Sequence, residues 1–312
     1  MIFRKPVTTN FNSGPGTKES EHESPMSPSS LESPSRKSIR YNNIIFSGGL
    51  GHGNSSPQSP LTPIPPEEIA HALDLYASQF QAGQPRSLSG VALRSFILGL
   101  VSSTCLILSI YIAFLRIALW RVPFFIFTLC LFHFLEYWTT ARVNSSVASV
   151  SSFLLTNNGA AYNIAHSCAL LEMILTHLFY PRTFLPERIQ KLVLLFGTLF
   201  IIIGQITRAL AILTAGPSFS HIVAHHKRNT HVLVTHGIYS ILRHPSYFGF
   251  FWWGIGTQLL CRNFICLIGY AIVLYWFFKI RIEGEEKLLV DFFGKEYADY
   301  ARRTVVAIPG LD

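Results

Sequence analysis

The sequence predicts an all-α polytopic membrane protein with about six transmembrane helices, the last two forming a C-terminal helical hairpin. Three observations lead to this fold class. Of the 312 residues, 49% are hydrophobic and only 13% are charged, about half the charged share of an ordinary soluble protein. The mean hydropathy is +0.34. Several apolar runs approach the ~20 residues that a helix needs to cross a bilayer. An ordinary soluble enzyme and a disordered scaffold are both excluded.

The chain divides into three predicted regions. Residues 1–64 are rich in Ser, Pro, Gly and Asn and carry almost no apolar periodicity, so we expect a disordered cytosolic tail. Residues 65–90 predict an amphipathic helix and a linker, since proline and two glutamates begin the segment. Its apolar residues recur at helical spacing: Ile69, Leu73, Tyr76 and Phe80. Residues 91–312 form the predicted integral-membrane domain.

Six apolar segments are the predicted spans. They cover about 96–115, 122–137, 160–180, 192–215, 246–260 and 264–280. The last two are separated only by residues 261–263, which predicts a tight hairpin. An even number of spans places both termini on one side. Lys227 and Arg228 follow the fourth span and further basic residues follow the sixth, so the positive-inside rule makes that side cytosolic.

The charge distribution restricts the partners. Residues 1–90 hold seven basic and seven acidic residues, so the whole net charge of +8 lies in the remaining chain. No long Lys/Arg tract occurs there, and nucleic-acid binding is not expected. The five cysteines form no CxxC pair, and no His/Cys cluster has zinc spacing, so no metal is expected. The lipid bilayer is the expected environment.

Ionisable side chains within the predicted spans are costly and usually have a specific role. They are His133, Glu136, His166, Glu172, His177 and Arg208. Two interpretations stay open at this point. The histidines either tie helices together by hydrogen bonds or belong to a site. Glu136 and Glu172 are both candidate partners for Arg208. Arg208 lies near the predicted cytosolic end of its span, where it would meet an anionic group.

The densest polar signal borders the predicted hairpin. The stretch LVTHGIYSILRHPSYFG covers residues 233–249 and leads directly into the fifth span. Its aromatic residues are also typical of an interfacial belt, so composition alone leaves that alternative open. After the sixth span, Arg281 and Glu285 are four residues apart and share one helix face. Immediately beyond a span, that face is able to point back into the membrane domain.

These motifs resemble those of the isoprenylcysteine carboxyl methyltransferases, intramembrane enzymes of the endoplasmic reticulum. The resemblance covers about residues 95–312. It is carried by the stretch at 233–249, by EEKLLVDFFGKEYADYARR at 285–303 and by RALAILTAGPSFSHIV at 208–223. The shorter pieces HFLEY at 133–137 and SSFLL at 151–155 also fit. The HPSY segment is shared more widely, with phospholipid methyltransferases among others.

The resemblance implies a multi-pass enzyme of the endoplasmic reticulum membrane with a cytosolic cofactor pocket. It would methylate the α-carboxylate of a C-terminal farnesyl- or geranylgeranyl-cysteine on prenylated proteins, using S-adenosyl-L-methionine. Arg208 would orient the accepting carboxylate as the catalytic residue, and Arg281 would bind the substrate. The residues that match the family's cofactor site are His231, Val232, Leu233, Val234, Tyr239, His244, Pro245, Ser246, Tyr247 and Glu285.

Two positions depart from the family pattern. Ala224 stands where the family has a glutamine, which removes a side-chain contact. Gly284 interrupts the acidic run after the last span, which makes this part of the helix less rigid. The chemistry still suits the residue types, because a carboxylate is already ionised and attacks a sulfonium methyl without a strong base. Positioning is then the main requirement.

Two alternative functions compete with carboxyl methylation. A phospholipid N-methyltransferase would use the same cofactor with a different acceptor, but the stretch at 208–223 favours the carboxyl methyltransferase. A membrane transporter belongs to another class and commonly shows internal repeats. No repeat is visible in this sequence, and the polar signal is densest on one predicted face.

Overall fold

The computed structural model describes residues 65–179, 185–221 and 232–311. Eight α-helices make up most of them, and no extended strand occurs in these three ranges. The helices are α1 Pro66–Ser78, α2 Leu88–Phe114, α3 Arg121–Val143, α4 Gly159–Phe179, α5 Glu187–Ala215, α6 Pro245–Cys261, α7 Phe264–Phe293 and α8 Lys295–Ala301. The predicted all-α fold class is confirmed. The predicted tail at 1–64 lies outside the described residues.

Four helical segments of the described chain are long and apolar enough to cross a membrane, judged by length and composition. They are Leu88–Phe114, Ala118–Val143, Glu187–Ser218 and Phe264–Phe293. The predicted spans at 160–180 and 246–260 correspond to α4 and α6, which do not meet this criterion. Helix α6 has 17 residues, a rise of about 25 Å against a hydrocarbon core of ~30 Å. Twelve of those residues are buried inside the protein, so its apolar composition reflects internal packing.

Helices α5 and α6 approach each other closely through four glycines. Gly197 and Gly204 of α5 face Gly256 and Gly249 of α6. A Cβ added to Gly204 would lie 2.6 Å from the carbonyl oxygen of Gly249, and a Cβ on Gly256 would lie 2.7 Å from the amide nitrogen of Ile201. Both contacts are with backbone atoms, which have little room to move. Small residues at such positions let helix backbones pack closely in membrane proteins.

The start of α6 is fixed by the segment that follows α8. Residues 304–308, here called the C-terminal strap, run beside residues 241–243. The amide of Arg243 donates to the carbonyl of Val305 at 3.0 Å, and the amide of Val305 donates to Ile241 at 3.1 Å. The indole of Trp252 donates to the carbonyl of Ala307 at 3.2 Å. The strap therefore holds the chain immediately before α6 in place.

The strap is anchored by two apolar side chains, and this anchoring is testable. Val306 and Ile308 are each 1% exposed, whereas Val305 is 47% exposed. Replacing Ile308 with alanine should lower the free energy of unfolding by about 3 kcal/mol, because it leaves a cavity in the core. Val305→Ala is the matched control, since Val305 makes its strap contacts through its backbone. Thermal unfolding in detergent measures both variants, and equal midpoints would contradict the anchoring.

Candidate active site

Arg208 of α5 forms a two-pronged ion pair with Glu136 of α3. Its Nε donates to Glu136 Oε1, and its Nη2 donates to Glu136 Oε2 at 2.9 Å. The third nitrogen, Nη1, donates to the hydroxyl of Ser246 at 3.0 Å and to its carbonyl at 3.2 Å. Both charged side chains are buried. A buried ion pair needs several hydrogen bonds of this kind to offset the loss of water.

Two aromatic rings enclose the arginine. The guanidinium carbon of Arg208 lies 5.3 Å from the ring centres of Phe132 and of Phe250. Such rings attract the cation through their faces and keep water away from it. The surroundings strengthen the attraction between Arg208 and any carboxylate, because an apolar environment screens charge weakly.

The structure answers the question of which glutamate pairs with Arg208. Glu172 of α4 is engaged elsewhere: its carboxylate accepts hydrogen bonds from the amides of Ile265 at 2.8 Å and Cys266 at 2.7 Å. These amides begin α7, and a carboxylate is favourable at a helix N-terminus. Glu172 therefore ties α4 to α7, and Glu136 is the partner of Arg208.

One of the membrane-depth histidines, His133 of α3, joins other segments by hydrogen bonds. One ring nitrogen of His133, Nδ1, lies 2.9 Å from the carbonyl of Phe153, and Nε2 lies 3.1 Å from the hydroxyl of Tyr162. His166 Nδ1 lies 2.8 Å from the carbonyl of Tyr162, one turn earlier on α4. The contacts of His133 support the interpretation that a histidine ties helices together, whereas the hydrogen bond of His166 stays within α4.

A second cluster forms around the hydroxyl of Tyr247 in the first turn of α6. Arg281 Nε donates to this hydroxyl at 2.7 Å, and the hydroxyl donates to Glu285 Oε2 at 2.5 Å. The Tyr247 ring also stacks on Phe278, with ring centres 5.2 Å apart. Arg281 and Glu285 do face the membrane domain from one side of α7, which the four-residue spacing had indicated.

His221 lies between the two clusters. Its backbone carbonyl accepts a hydrogen bond from Arg281 Nη2 at 2.5 Å, and its Nε2 lies 3.9 Å from Glu136 Oε2. Burial lowers the pKa of His221 to about 4, so the imidazole is neutral at pH 7. Arg208 therefore contacts Ser246 and Arg281 contacts Tyr247, which are consecutive residues of α6. His221 contacts both clusters. Sequence reasoning missed His221 as a site residue, although it lies near the end of the conspicuous stretch at 208–223.

His244, the residue that precedes α6, is fixed by a third set of contacts. Its Nε2 lies 3.2 Å from Glu286 Oε1, and Arg243 Nε donates to the same oxygen at 2.7 Å. Arg243 Nη1 also donates to the carbonyl of Thr304 in the C-terminal strap at 2.7 Å. The rings of His244 and Tyr247 are nearly parallel, with centres 5.5 Å apart. Arg243 and Glu286 were not among the predicted site residues.

The remaining predicted residues lie on the approach to α6. Residues 232–235 form neither helix nor strand and lead into a 3₁₀ helix, Gly237–Ser240. Val232 is 69% exposed, whereas Leu233 and Val234 are partly buried. Tyr239 belongs to the 3₁₀ helix, and its carbonyl accepts from the hydroxyl of Tyr300 at 2.8 Å.

Pro245 and His231 are the last of the predicted site residues, and Tyr300 is the partner of Tyr239. Pro245 is buried at the first position of α6, where its missing amide costs no hydrogen bond. Burial raises the pKa of Tyr300 to about 12, which keeps its hydroxyl available as a donor. His231 and the substituted position Ala224 lie outside the described residues.

The chain matches a family model described as the isoprenylcysteine carboxyl methyltransferase (ICMT) family over residues 195–291. This range includes Arg208, all of α6 and most of α7. Several curated relatives bear the name protein-S-isoprenylcysteine O-methyltransferase. The Saccharomyces cerevisiae relative is 45% identical over 225 residues, which cover 71% of this chain and 91% of that protein. The Homo sapiens relative is 38% identical over 219 residues, covering 70% of this chain and 74% of that protein.

A solved structure is similar as well. It is titled as a eukaryotic intramembrane Ras methyltransferase, ICMT, determined without a monobody. The TM-score is 0.64 at 33% sequence identity, and the match covers 78% of this chain and 84% of that one. Both the extent of the sequence matches and the shared fold lead to one conclusion. The chain belongs to the isoprenylcysteine carboxyl methyltransferase family.

Proposed function

We propose that the protein methylates the α-carboxylate of a C-terminal prenylcysteine, with S-adenosyl-L-methionine as the methyl donor. The observation that carries this proposal is the pair of arginines, Arg208 and Arg281, anchored on consecutive residues at the start of α6. Two cations at the edge of an apolar domain suit an acceptor that combines a carboxylate with a lipid chain. The names of the curated relatives agree with this acceptor.

The proposed roles of the two arginines follow from their surroundings. Arg208 is the catalytic residue that orients the acceptor carboxylate, since its guanidinium is held rigidly by Glu136 and Ser246. Arg281 binds the same carboxylate from α7. Neither role requires a proton transfer, because a carboxylate is ionised at neutral pH. The residues instead fix the direction of the attacking oxygen, which lowers the entropic part of the barrier.

The cofactor-binding residues fit the proposed methyl donor. Glu285 presents a carboxylate suited to an ammonium group, and Tyr247 and His244 present parallel rings suited to an aromatic or cationic group. Residues 231–234, Tyr239, Pro245 and Ser246 complete the proposed pocket. When bound, S-adenosyl-L-methionine supplies an electrophilic methyl group on a sulfonium. Glu286 and Arg243 hold His244 in place for this role.

The apolar domain serves the lipid part of the acceptor. A farnesyl or geranylgeranyl chain gains about 0.8 kcal/mol for each buried CH2-sized unit, so extraction into water would be costly. We infer that the prenyl chain stays in the bilayer and enters the protein beside α6 and α7. The carboxylate of the same prenylcysteine then meets the two arginines. The proposal includes six bilayer-inserted helices, with α4 and α6 as the shorter ones. It places the protein in the endoplasmic reticulum membrane with the pocket and both termini in the cytosol.

One assay tests the proposed reaction. Membranes containing the protein are incubated with methyl-labelled S-adenosyl-L-methionine and either N-acetyl-S-farnesylcysteine or its carboxamide. We expect label on the acid and none on the amide, because only the acid offers an anionic oxygen. Label on phosphatidylethanolamine with none on the acid would contradict the proposal and favour a phospholipid N-methyltransferase.

The role of Glu285 gives a separate prediction. Glu285→Gln should raise the KM for S-adenosyl-L-methionine about tenfold, because a charged hydrogen bond to an ammonium is lost. Glu283→Gln is the matched control, since Glu283 lies two residues earlier on α7 with an exposed side chain. Initial rates at varied cofactor concentration measure both. An unchanged KM for Glu285→Gln would remove this residue from the cofactor site.

A further inference from the structure

We propose that Glu136 is a positioning residue that restrains the charge and orientation of Arg208, so that the acceptor carboxylate is held without being over-stabilised. The inference rests on the proposed function and assigns a role to a residue of α3, outside the motifs at 231–249 and 281–285. Glu136 is 1% exposed, and its carboxylate meets two nitrogens of one guanidinium.

Most N–H groups of Arg208 already donate hydrogen bonds within the protein. A guanidinium carries five N–H groups. Within the described part of the chain, Glu136 takes one from Nε and one from Nη2, and Ser246 takes two from Nη1. These contacts fix the plane of the guanidinium group, and they thereby fix the direction of its fifth N–H, the second one on Nη2. An acceptor oxygen would therefore meet Arg208 through a single hydrogen bond instead of a two-pronged grip.

Each of the two arginines has a carboxylate near it. The carboxylate of Glu136 balances Arg208, and neutral His221, 3.9 Å away, adds no further charge. On α7, the cation of Arg281 is followed one turn later by the anion of Glu285, and both contact Tyr247. The acceptor carboxylate thus enters a site in which each arginine already has a nearby anion. Arg281 remains the group that recognises the carboxylate.

The pairing of Arg208 with Glu136 affects the rate of methyl transfer. Methyl transfer consumes the negative charge of the attacking oxygen, since the product is a neutral ester. An interaction that stabilises the carboxylate more than the transition state lowers KM and also lowers kcat. An unbalanced Arg208 in an apolar setting would be such an interaction. The ion pair with Glu136 prevents this over-stabilisation of the substrate carboxylate and keeps Arg208 in position.

The test removes the charge of Glu136 and keeps its shape. Glu136→Gln should bind N-acetyl-S-farnesylcysteine about tenfold more tightly, because Glu136 is the carboxylate that contacts Arg208 among the described residues and the substrate would take its place as counter-charge. Binding of the carboxamide should not change. The dissociation constants are measured by calorimetry on detergent-solubilised protein without cofactor, and kcat per folded molecule should fall about tenfold.

Glu172→Gln is the matched control, because it removes another membrane-depth carboxylate whose contacts are with the backbone of α7. It should lower stability and leave the acid-to-amide binding ratio unchanged. An unchanged ratio in Glu136→Gln, or an unchanged kcat, would overturn the inference. If Glu136→Gln does not fold, Glu136→Asp is measured in the same way, since the shorter aspartate side chain weakens the ion pair with Arg208. A smaller shift of the acid-to-amide binding ratio in the same direction supports the inference. An unchanged ratio overturns it.

The wild-type protein separates this inference from the proposed function. Wild-type protein that does not methylate the acid contradicts the proposed function itself. If the wild-type protein methylates the acid but Glu136→Gln leaves the acid-to-amide binding ratio unchanged, only the role of Glu136 is contradicted. The positioning role predicts opposite changes in affinity and turnover. A merely structural role would lower the amount of folded protein and leave both constants unmoved.

Discussion

Replacing Arg208 with alanine should lower kcat for methyl transfer about 1,000-fold, the effect expected when a preorganised charged donor is removed from a reacting oxygen. The same change also leaves the carboxylate of Glu136 buried without its partner. Removing one member of a buried ion pair costs about 3–5 kcal/mol of stability. A loss of activity in this single variant therefore has two physical sources. Turnover has to be measured per folded molecule.

A double variant separates the two sources. Glu136→Leu combined with Arg208→Met replaces both charges by apolar side chains of similar size, which often restores stability. We expect thermal unfolding close to that of the wild type, with methyl transfer still about 1,000-fold lower. Near-normal turnover in the double variant would show that the ion pair serves the fold alone. The catalytic assignment of Arg208 would then be wrong.

Gly249→Ala is expected to have the largest effect on the fold. A Cβ at this position would lie 2.6 Å from the carbonyl oxygen of Gly204 and 2.8 Å from the amide nitrogen of Arg208. Backbone atoms on both sides force α5 and α6 apart, and we expect a loss of about 3 kcal/mol, the upper end of the usual cost of overpacking. Because the helices carry Arg208 and Ser246, their separation should also disrupt the hydrogen bonds between these residues and reduce methyl transfer.

Gly269→Ala provides the matched control for this prediction. Gly269 lies within α7, and nothing is within 4 Å of a Cβ placed there. Alanine is the better helix former, so this change should be neutral or slightly stabilising. Thermal unfolding midpoints in detergent compare the two variants. Equal midpoints would mean that the contact between α5 and α6 is looser than the structure indicates.

The sequence predicted the fold class and the helix-borne residues of the site because these depend on local patterns. The four-residue spacing of Arg281 and Glu285 placed both on one face, and the structure brings both to Tyr247. Apolar composition predicted helix α6 but not its surroundings. A largely apolar helix of 17 residues has a similar composition whether it faces lipid or the protein interior, which explains why the sequence counted α6 among the spans.

The contacts between distant segments were beyond sequence reasoning. Glu136 and Glu172 were equivalent candidates for Arg208, since both are carboxylates at membrane depth. Only the packing of α3 against α5 selects Glu136, and only the start of α7 gives Glu172 its backbone partners. The contacts of Arg243 with Glu286 and Thr304 join segments 43 and 61 residues apart. Arg243 lies within the conspicuous stretch at 233–249, but its local sequence does not show which distant residues it contacts.

The most direct measurement of the central claim is the alkali lability of the product. Purified protein is incubated with methyl-labelled S-adenosyl-L-methionine, N-acetyl-S-farnesylcysteine and phosphatidylethanolamine together, and the products are then treated with base. A carboxyl methyl ester is hydrolysed to volatile methanol, whereas a methyl group on nitrogen stays on the non-volatile head-group amine. We expect the transferred label to be released as methanol, because the acceptor is a carboxylate. Label that remains on a non-volatile amine would contradict this expectation.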